Sequence, residues 1–293
     1  MNIHGVIFTN KILNASGCWC NSEIQLSQLY NSSLGGIISK SCTLLPKEPN
    51  PIPNYIDNHN HKFNCMGLPN KSYNYYKNHF LLFPDKPYIL SIGFVSIDEC
   101  IQILSDYESL SDKKRLVEIN LSCPNIHSRI IGFHKKDILY LLKCISNQNF
   151  QNLVLGFKMP PILEIEKIKN ISRFFNKYSH VVKFITCCNS LPNCFPLDSV
   201  LSNEFGGLSG SYFNKIISIS NIKLYKKFLL DSIIIIGCGG IETKQDAIDY
   251  FKNGANFLQL ASCFFENDNL NISKINLFIQ ELNPPSPLTL LNE

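Results

Sequence analysis

Cys123 follows a short apolar run in the segment Glu118-Ile-Asn-Leu-Ser-Cys-Pro-Asn125, in which the apolar residues predict a buried strand and the last four residues predict a turn. In parallel α/β proteins the ends of strands carry the chemistry, so Asn120, Cys123 and Asn125 are candidates for an active site with one thiol and two amides. The alternative is structural, because a free cysteine behaves as a small buried hydrophobe and the chain has twelve cysteines. Convergence of other strand ends on Cys123 would distinguish the two interpretations.

Two lysines end other predicted strands, in Ser39-Lys40-Ser41 and in Gly156-Phe-Lys158. At the catalytic face of a barrel, each would be a fixed cation for an anionic substrate or an electron-rich ring. On the surface, the same side chain would extend its ammonium group into water. The residues around each lysine leave both interpretations open.

A glycine-rich turn follows the strongest apolar run, in Ile233-Ile-Ile-Ile-Gly-Cys-Gly239-Gly240-Ile-Glu-Thr243. A strand that leads into glycines and then into a helix start exposes backbone N–H groups suited to a phosphate. The next predicted strand ends in Ala261-Ser262, and in barrels the loops after strands seven and eight commonly bind phosphate. The location favours a phosphate-bearing cofactor over a plain turn.

The remaining polar strand ends lie in Asn14-Ala-Ser16-Gly17 and in Cys187-Cys188-Asn189-Ser190, and a long loop contains Asn64-Cys-Met-Gly-Leu-Pro-Asn70. The small residues of the first segment would let a flat ligand lie against the backbone, although a tight turn would explain them equally well. Without a C-x-x-C pair, the cysteine spacing argues against zinc or an iron–sulfur cluster. Amides, two lysines and one thiol suit a planar, carbonyl-rich anion beside a phosphorylated organic cofactor.

Alternating strand and helix patterns must position these residues. Strands are predicted at 12–16, 36–40, 88–93, 116–122, 153–158, 181–187, 232–237 and 256–260, and helices at 23–30, 97–107, 136–145, 162–178, 212–230, 244–253 and 272–282. Eight such units predict an α/β fold, a (β/α)₈ barrel within a single domain over 1–293 whose core spans about 12–282. A small hairpin is predicted within 1–13, and long loops at 42–72 and 191–210 over the carboxyl-terminal face.

Composition excludes several classes of function. The formal charge of +4 arises from 27 basic and 23 acidic residues without a run of like charges, which argues against nucleic acid as a partner. No apolar run approaches the ~20 residues that span a bilayer, and residues 1–10 lack the pattern of a secretory signal, so a membrane association is not expected. The scattered cysteines do not suggest a disulfide framework.

Motifs between about residues 14 and 262 occur in the order found in dihydroorotate dehydrogenases, and the chain most closely resembles the class 1A enzymes of that family. The motifs are Asn-Ala-Ser-Gly, Ser-Lys-Ser, Asn-Cys-Met-Gly-Leu-Pro-Asn, Asn-Leu-Ser-Cys-Pro-Asn, Gly-Phe-Lys-Met-Pro-Pro, Cys-Asn-Ser, Phe-Gly-Gly-Leu-Ser-Gly and Gly-Cys-Gly-Gly-Ile-Glu-Thr. The resemblance implies a cytoplasmic homodimer that uses FMN to oxidise dihydroorotate to orotate in pyrimidine biosynthesis and returns the electrons to fumarate.

The resemblance also implies a role for each matching residue. Cys123 would be the base that takes a proton from the substrate ring. The residues that match substrate-binding positions are Lys40, Asn64, Met66, Gly67, Leu68, Asn120, Asn125, Asn189 and Ser190. Those that match cofactor-binding positions are Ser16, Lys40, Ser41, Asn120, Lys158 and Cys188 around the flavin, and Gly210, Gly239, Gly240, Ala261 and Ser262 around its phosphate.

The chain departs from the family pattern after Asn125, where relatives usually continue with a Pro-Gly-Lys-Pro-Gln-like segment and this chain has Ile126-His-Ser-Arg-Ile-Ile131. In relatives that loop closes over the substrate. Two alternatives to the dehydrogenase follow: a flavin- or pyrimidine-binding paralogue without turnover, and a related barrel flavoenzyme that acts on another pyrimidine.

Overall fold

The structure is a computed structural model that describes residues 1–58, 61–122, 129–197, 199–266 and 269–282. Its central sheet has eight parallel strands: β1 (Ile12–Asn14), β2 (Ile37–Ile38), β3 (Tyr88–Ile92), β4 (Arg115–Asn120), β5 (Leu153–Lys158), β6 (Val182–Cys187), β7 (Ile234–Cys238) and β8 (Phe257–Leu260). The strand order is β1-β8-β7-β6-β5-β4-β3-β2. The predicted (β/α)₈ barrel is therefore confirmed.

The barrel closes between its two shortest strands. A parallel bridge joins Leu13 to Gly36. Beyond it, the side-chain amide of Asn14 replaces the missing backbone ladder, because its Nδ2 donates to the carbonyl oxygen of Ile38 at 2.7 Å and its Oδ1 accepts from the N–H of Ile38 at 2.8 Å. An asparagine amide has the same donor and acceptor as a peptide group, so Asn14 has a structural role in closure.

Each of the seven predicted helices is present, as α1 (Glu23–Tyr30), α2 (Ile97–Ser109), α3 (Lys135–Ser146), α4 (Ile165–Lys177), α5 (Tyr212–Phe228), α6 (Lys244–Lys252) and α7 (Ile272–Leu282). Two single-turn helices, Tyr73–Tyr76 and His79–Leu82, precede β3. Side-chain caps fix where several helices begin: Ser211 accepts from the N–H of Asn214, and Thr243 forms a capping box with Asp246. Among the described residues, every helix is too short or too polar to serve as a membrane span.

The amino-terminal end of the barrel is filled with apolar side chains. The predicted hairpin pairs Asn2–Ile3 with Val6–Ile7, and Ile3 and Phe8 are fully buried beneath the barrel. Phe8 packs edge-on against Phe257 of β8 with ring centroids 5.1 Å apart. The amino-terminal end of the barrel is therefore closed by apolar side chains, and the polar strand ends lie at its carboxyl-terminal end.

The two connections predicted as long loops contain a four-stranded antiparallel sheet, which we call the capping sheet. Its strands, in spatial order, are Leu191–Cys194, Gly206–Ser209, His61–Asn64 and Tyr55–Asn58. Lys62 pairs with Ser209 and Asn64 with Gly207, so the sheet joins segments more than 140 residues apart. The predicted long loops are present, but the sheet within them was not predicted, because the pairing that orders it is non-local.

Candidate active site

A cavity of about 780 Å³ lies between the carboxyl-terminal ends of the barrel strands and the capping sheet. Its size is within the range of small-molecule and cofactor sites. The predicted site residues that line it are Ser16, Lys40, Ser41, Asn64, Met66, Gly67, Leu68, Asn120, Lys158, Cys188, Asn189, Ser190, Gly210, Gly239, Gly240, Ala261 and Ser262. Cys123 and Asn125 lie outside the described residues. The chain thus brings together every predicted site residue that the structure describes, and the role of each stays a prediction.

A polar network crosses the barrel beneath this cavity. Glu118 of β4 accepts hydrogen bonds at one carboxylate oxygen from Thr186 Oγ1 at 2.7 Å and from Gln259 Nε2 at 2.5 Å. Lys158 of β5 donates to Gln259 Oε1 at 3.2 Å, and its Nζ is 4.0 Å from the other oxygen of Glu118. Since β4 and β8 are not neighbours in the sheet, these side chains must meet inside the barrel.

Lys158 carries its charge inside this network. Burial lowers the pKa of Lys158, but the thiol of Cys238 and the carboxylate of Glu118 raise it, and the net direction is upward. Because a neutral thiol exerts little field, we attribute the effect at neutral pH to Glu118. A fixed cation therefore lies at the floor of the cavity.

An amide and hydroxyl cluster forms one wall of the cavity. Asn120 Oδ1 accepts from the N–H of Ser122 at 3.0 Å and from Asn189 Nδ2 at 3.3 Å. Asn120 Nδ2 donates to Ser41 Oγ at 3.3 Å, and Ser41 Oγ is also 3.0 Å from Ser16 Oγ. These bonds fix the orientation of both amides, so the cavity presents a preorganised set of donors and acceptors.

Glycines shape the opposite end of the cavity, near the starts of α5 and α6. A Cβ at Gly210 would lie 2.6 Å from Ser262 Oγ, and one at Gly240 would collide with the carbonyl oxygen of Ser211. Both glycines have positive φ, at 59° and 61°, which L side chains rarely adopt. The backbone therefore approaches closely here, in the geometry that suits an anion near helix amino termini.

Two other thiols at or near the cavity are poor candidates for a base. Cys20 and Cys238 are buried, and burial raises the pKa of each thiol above its ordinary value. They remain neutral at neutral pH and cannot accept a proton readily. These two thiols therefore do not compete with Cys123 for the predicted role.

The far side of the cavity continues into the segment that departs from the family pattern. Arg129 and Ile130 line the cavity. Arg129 forms an ion pair with Asp137 of α3 at 2.9 Å, and Ile131 is buried. The described end of that segment is thus anchored to the barrel.

Sequence reasoning missed several cavity residues, most of them on or against the capping sheet. They include Trp19, Tyr55, Lys62, Asn193, Phe205 and the barrel residue Gln259. The capping-sheet strands lack apolar periodicity, so no local pattern marked them. Gln259 could have been found, because a polar residue in the middle of an apolar strand predicts a polar barrel interior.

Comparisons with known proteins identify relatives of this chain. The family model described as dihydroorotate dehydrogenase matches residues 1–283. A protein named dihydroorotate dehydrogenase (fumarate) from Trypanosoma brucei brucei is 30% identical over 296 residues, covering 96% of this chain and 92% of that protein. A protein named putative dihydroorotate dehydrogenase A (fumarate) from Streptococcus agalactiae is 33% identical, covering 89% of this chain and 85% of that protein.

A solved structure supports the fold independently. It is that of an Eimeria tenella DHODH in complex with ferulenol, with a TM-score of 0.76 and 16% sequence identity. The match covers 96% of this chain and 83% of the other. At this identity the likeness shows a shared barrel architecture.

Proposed function

Because the chain belongs to the dihydroorotate dehydrogenase family, we propose that it oxidises (S)-dihydroorotate to orotate in pyrimidine biosynthesis, with FMN as cofactor and fumarate as electron acceptor. The observation that carries the proposal is the gathering of the motif residues around one cavity above a buried lysine. No feature of the described residues favours a paralogue without turnover or another pyrimidine substrate.

The cavity residues fit FMN. Gly17 and Gly239 leave room at the cavity wall, since a Cβ on either would lie at least 3.6 Å from its nearest non-neighbouring atoms. Ser16, Ser41, Lys158 and Cys188 would surround the flavin ring. Gly210, Gly239, Gly240, Ala261 and Ser262 would surround its phosphate. When bound, the ring would supply a two-electron acceptor.

The amide wall fits the substrate. Asn120 and Asn189, which hydrogen bond to each other, would hold the carbonyl and N–H groups of the pyrimidine ring, with Asn64, Asn125 and Ser190 beside them. Lys40, 8% exposed, would pair with the substrate carboxylate. The backbone of 66–68 would close the pocket from the long loop.

Cys123 is the proposed general base. Its thiolate would take one proton from the ring methylene as the adjacent ring carbon gives up a hydride, which leaves the ring double bond of orotate. The two electrons and two protons lost by dihydroorotate equal those gained when fumarate becomes succinate. Lys158 would stabilise the negative charge that the hydride brings into the site.

We also propose that the protein is a cytoplasmic homodimer, as the family resemblance implies. A group of apolar side chains is exposed on and beside the capping sheet, including Phe195, Leu197, Phe205, Tyr212 and Phe213. Leu197 is 88% exposed. Exposed apolar side chains that lie together in a patch are typical of protein–protein interfaces. Sedimentation of the protein should give the mass of two chains, whereas a monomer at micromolar concentration would contradict this part of the proposal.

Steady-state assays test the proposed reaction. Purified protein with FMN, dihydroorotate and fumarate should form orotate and succinate in equal amounts. A quinone or oxygen in place of fumarate tests the acceptor. Turnover with a quinone but not with fumarate would support the dehydrogenase activity and contradict fumarate as the electron acceptor. Binding of orotate without turnover with any acceptor would contradict the proposed enzymatic activity.

A further inference from the structure

Lys62 is a cavity residue to which the family resemblance assigns no role. It lies on the capping-sheet strand His61–Asn64, where residues two apart face the same side. Lys62 and Asn64 both line the cavity, and Lys62 is only 8% exposed. A buried ammonium group at a cavity wall requires a compensating anion.

Asp57 meets part of that requirement. It pairs with Lys62 across the neighbouring strand, and Lys62 Nζ donates to Asp57 Oδ2 at 2.8 Å. The Asp57 side chain is 44% exposed and that of Lys62 is 10% exposed, so the pair points from solvent toward the cavity. An ammonium group has three N–H donors, and Asp57 accepts one of them.

Lys62 lies at the glycine-lined end of the cavity. Its Cδ is 3.4 Å from the position of a Cβ at Gly210, and Ser262 Oγ is 2.6 Å from that position. Its strand pairs Lys62 with Ser209, the residue before Gly210. Its charge also reaches Glu242, whose pKa is raised by burial and lowered by Lys62. The lysine is thus close to both loops that would surround a phosphate.

We propose that Lys62 binds the phosphate of the cofactor and makes the site selective for a phosphorylated flavin over riboflavin. This inference rests on the proposed function. Glycine loops supply N–H groups but no full charge, whereas a phosphate monoester carries about −1.5 to −2 at neutral pH. Asp57 and Glu242 are carboxylates near Lys62, and Asp57 would hold the ammonium in place.

Flavin binding to the apoprotein tests this role without any turnover. Fluorescence quenching would give the Kd of FMN and of riboflavin for the parent chain, for Lys62→Gln and for Lys62→Arg. We expect Lys62→Gln to raise the Kd of FMN by about 10- to 100-fold, the range for loss of one charge-assisted hydrogen bond, and to change that of riboflavin by less than about threefold. Lys62→Arg should retain FMN binding, and added salt should weaken FMN binding less in Lys62→Gln than in the parent.

Lys77→Gln is the matched control, because Lys77 is also ion-paired, with Asp106 at 3.2 Å, and does not line the cavity. It should leave both flavin affinities unchanged.

Equal losses of FMN and riboflavin affinity in Lys62→Gln would show a structural role and overturn the inference. An unchanged Kd for FMN would also overturn it. If Lys62→Gln does not fold, Asp57→Asn decides the question: a higher Kd for FMN with an unchanged Kd for riboflavin would support the inference, and equal changes in both would overturn it. The proposed function fails separately, if bound flavin is not reduced by dihydroorotate.

Discussion

The carboxylate of Glu118 and the ammonium of Lys158 lie 4.0 Å apart in the centre of the barrel, where Glu118 is 0% and Lys158 2% exposed. Thr186 and Gln259 fix the carboxylate from the opposite side. A cation beneath the ligand cavity is therefore held by a carboxylate that no ligand needs to touch. Glu118 is a positioning residue for Lys158.

Glu118→Gln should destabilise the protein in a pH-dependent way. Removing one partner of a buried ion pair typically costs about 3–5 kcal/mol. The pKa of Lys158 is raised in the folded state, so the pair stabilises the fold fully below the ordinary lysine pKa of about 10.4 and loses that contribution as the pH rises through the folded pKa. Urea denaturation between neutral and alkaline pH measures the difference between parent and variant.

That difference should be largest near pH 7–9 and shrink above about pH 10.4. The exposed pair of Lys169 and Glu166 provides the control, for which Glu166→Gln should change stability by less than about 1 kcal/mol. An equally stable Glu118→Gln variant at pH 7 would refute the importance of the pair.

Cys123→Ala should slow the anaerobic reduction of bound flavin by dihydroorotate about 10²- to 10⁴-fold, the usual contribution of a general base, while orotate binding is retained. Stopped-flow absorbance measures the reduction. Cys144→Ser, on the outer helix α3, is the control, and its bound flavin should be reduced at the parent rate. An unchanged rate in Cys123→Ala would assign the base elsewhere.

Gly240→Ala should destabilise the apoprotein much more than Gly17→Ala. At Gly240 the new Cβ would collide with the Ser211 carbonyl oxygen, and φ is 61°. At Gly17 the new Cβ would lie 3.8 Å from the Ala15 carbonyl oxygen, and the backbone is extended. Positive φ alone costs about 1–3 kcal/mol for a side chain. Thermal melts of both apoproteins compare them, and equal melting temperatures would contradict the close packing at the start of α5.

Asn120 and Asn189 should act as a unit. Each single alanine variant leaves the other amide without one hydrogen bond, so the double variant should lose less kcat/KM than the product of the single losses. A coupling of about 0.5–3 kcal/mol is expected. As a control, the fold losses in kcat/KM caused by Asn120→Ala and Lys77→Gln should multiply in the double variant. If the losses caused by Asn120→Ala and Asn189→Ala also multiply, the two amides work independently.

The sequence predicted the barrel because its signals are local. The run of isoleucines before Gly237 and the amphipathic pattern of α4 each identify an element without reference to the rest of the chain. The capping sheet has no such signal, since Asn64 and Gly207 pair across 143 positions in polar segments. Lys62 was missed for that reason. Glu118 was read as part of a strand, although a carboxylate within Leu116-Val-Glu-Ile119 could have indicated the buried network.

Anaerobic mixing of the FMN-loaded protein with dihydroorotate tests the proposed activity most directly. We predict that the flavin absorbance bleaches with one orotate formed per flavin, and that added fumarate restores the colour. A flavin that binds orotate and stays oxidised in the presence of dihydroorotate would contradict the account.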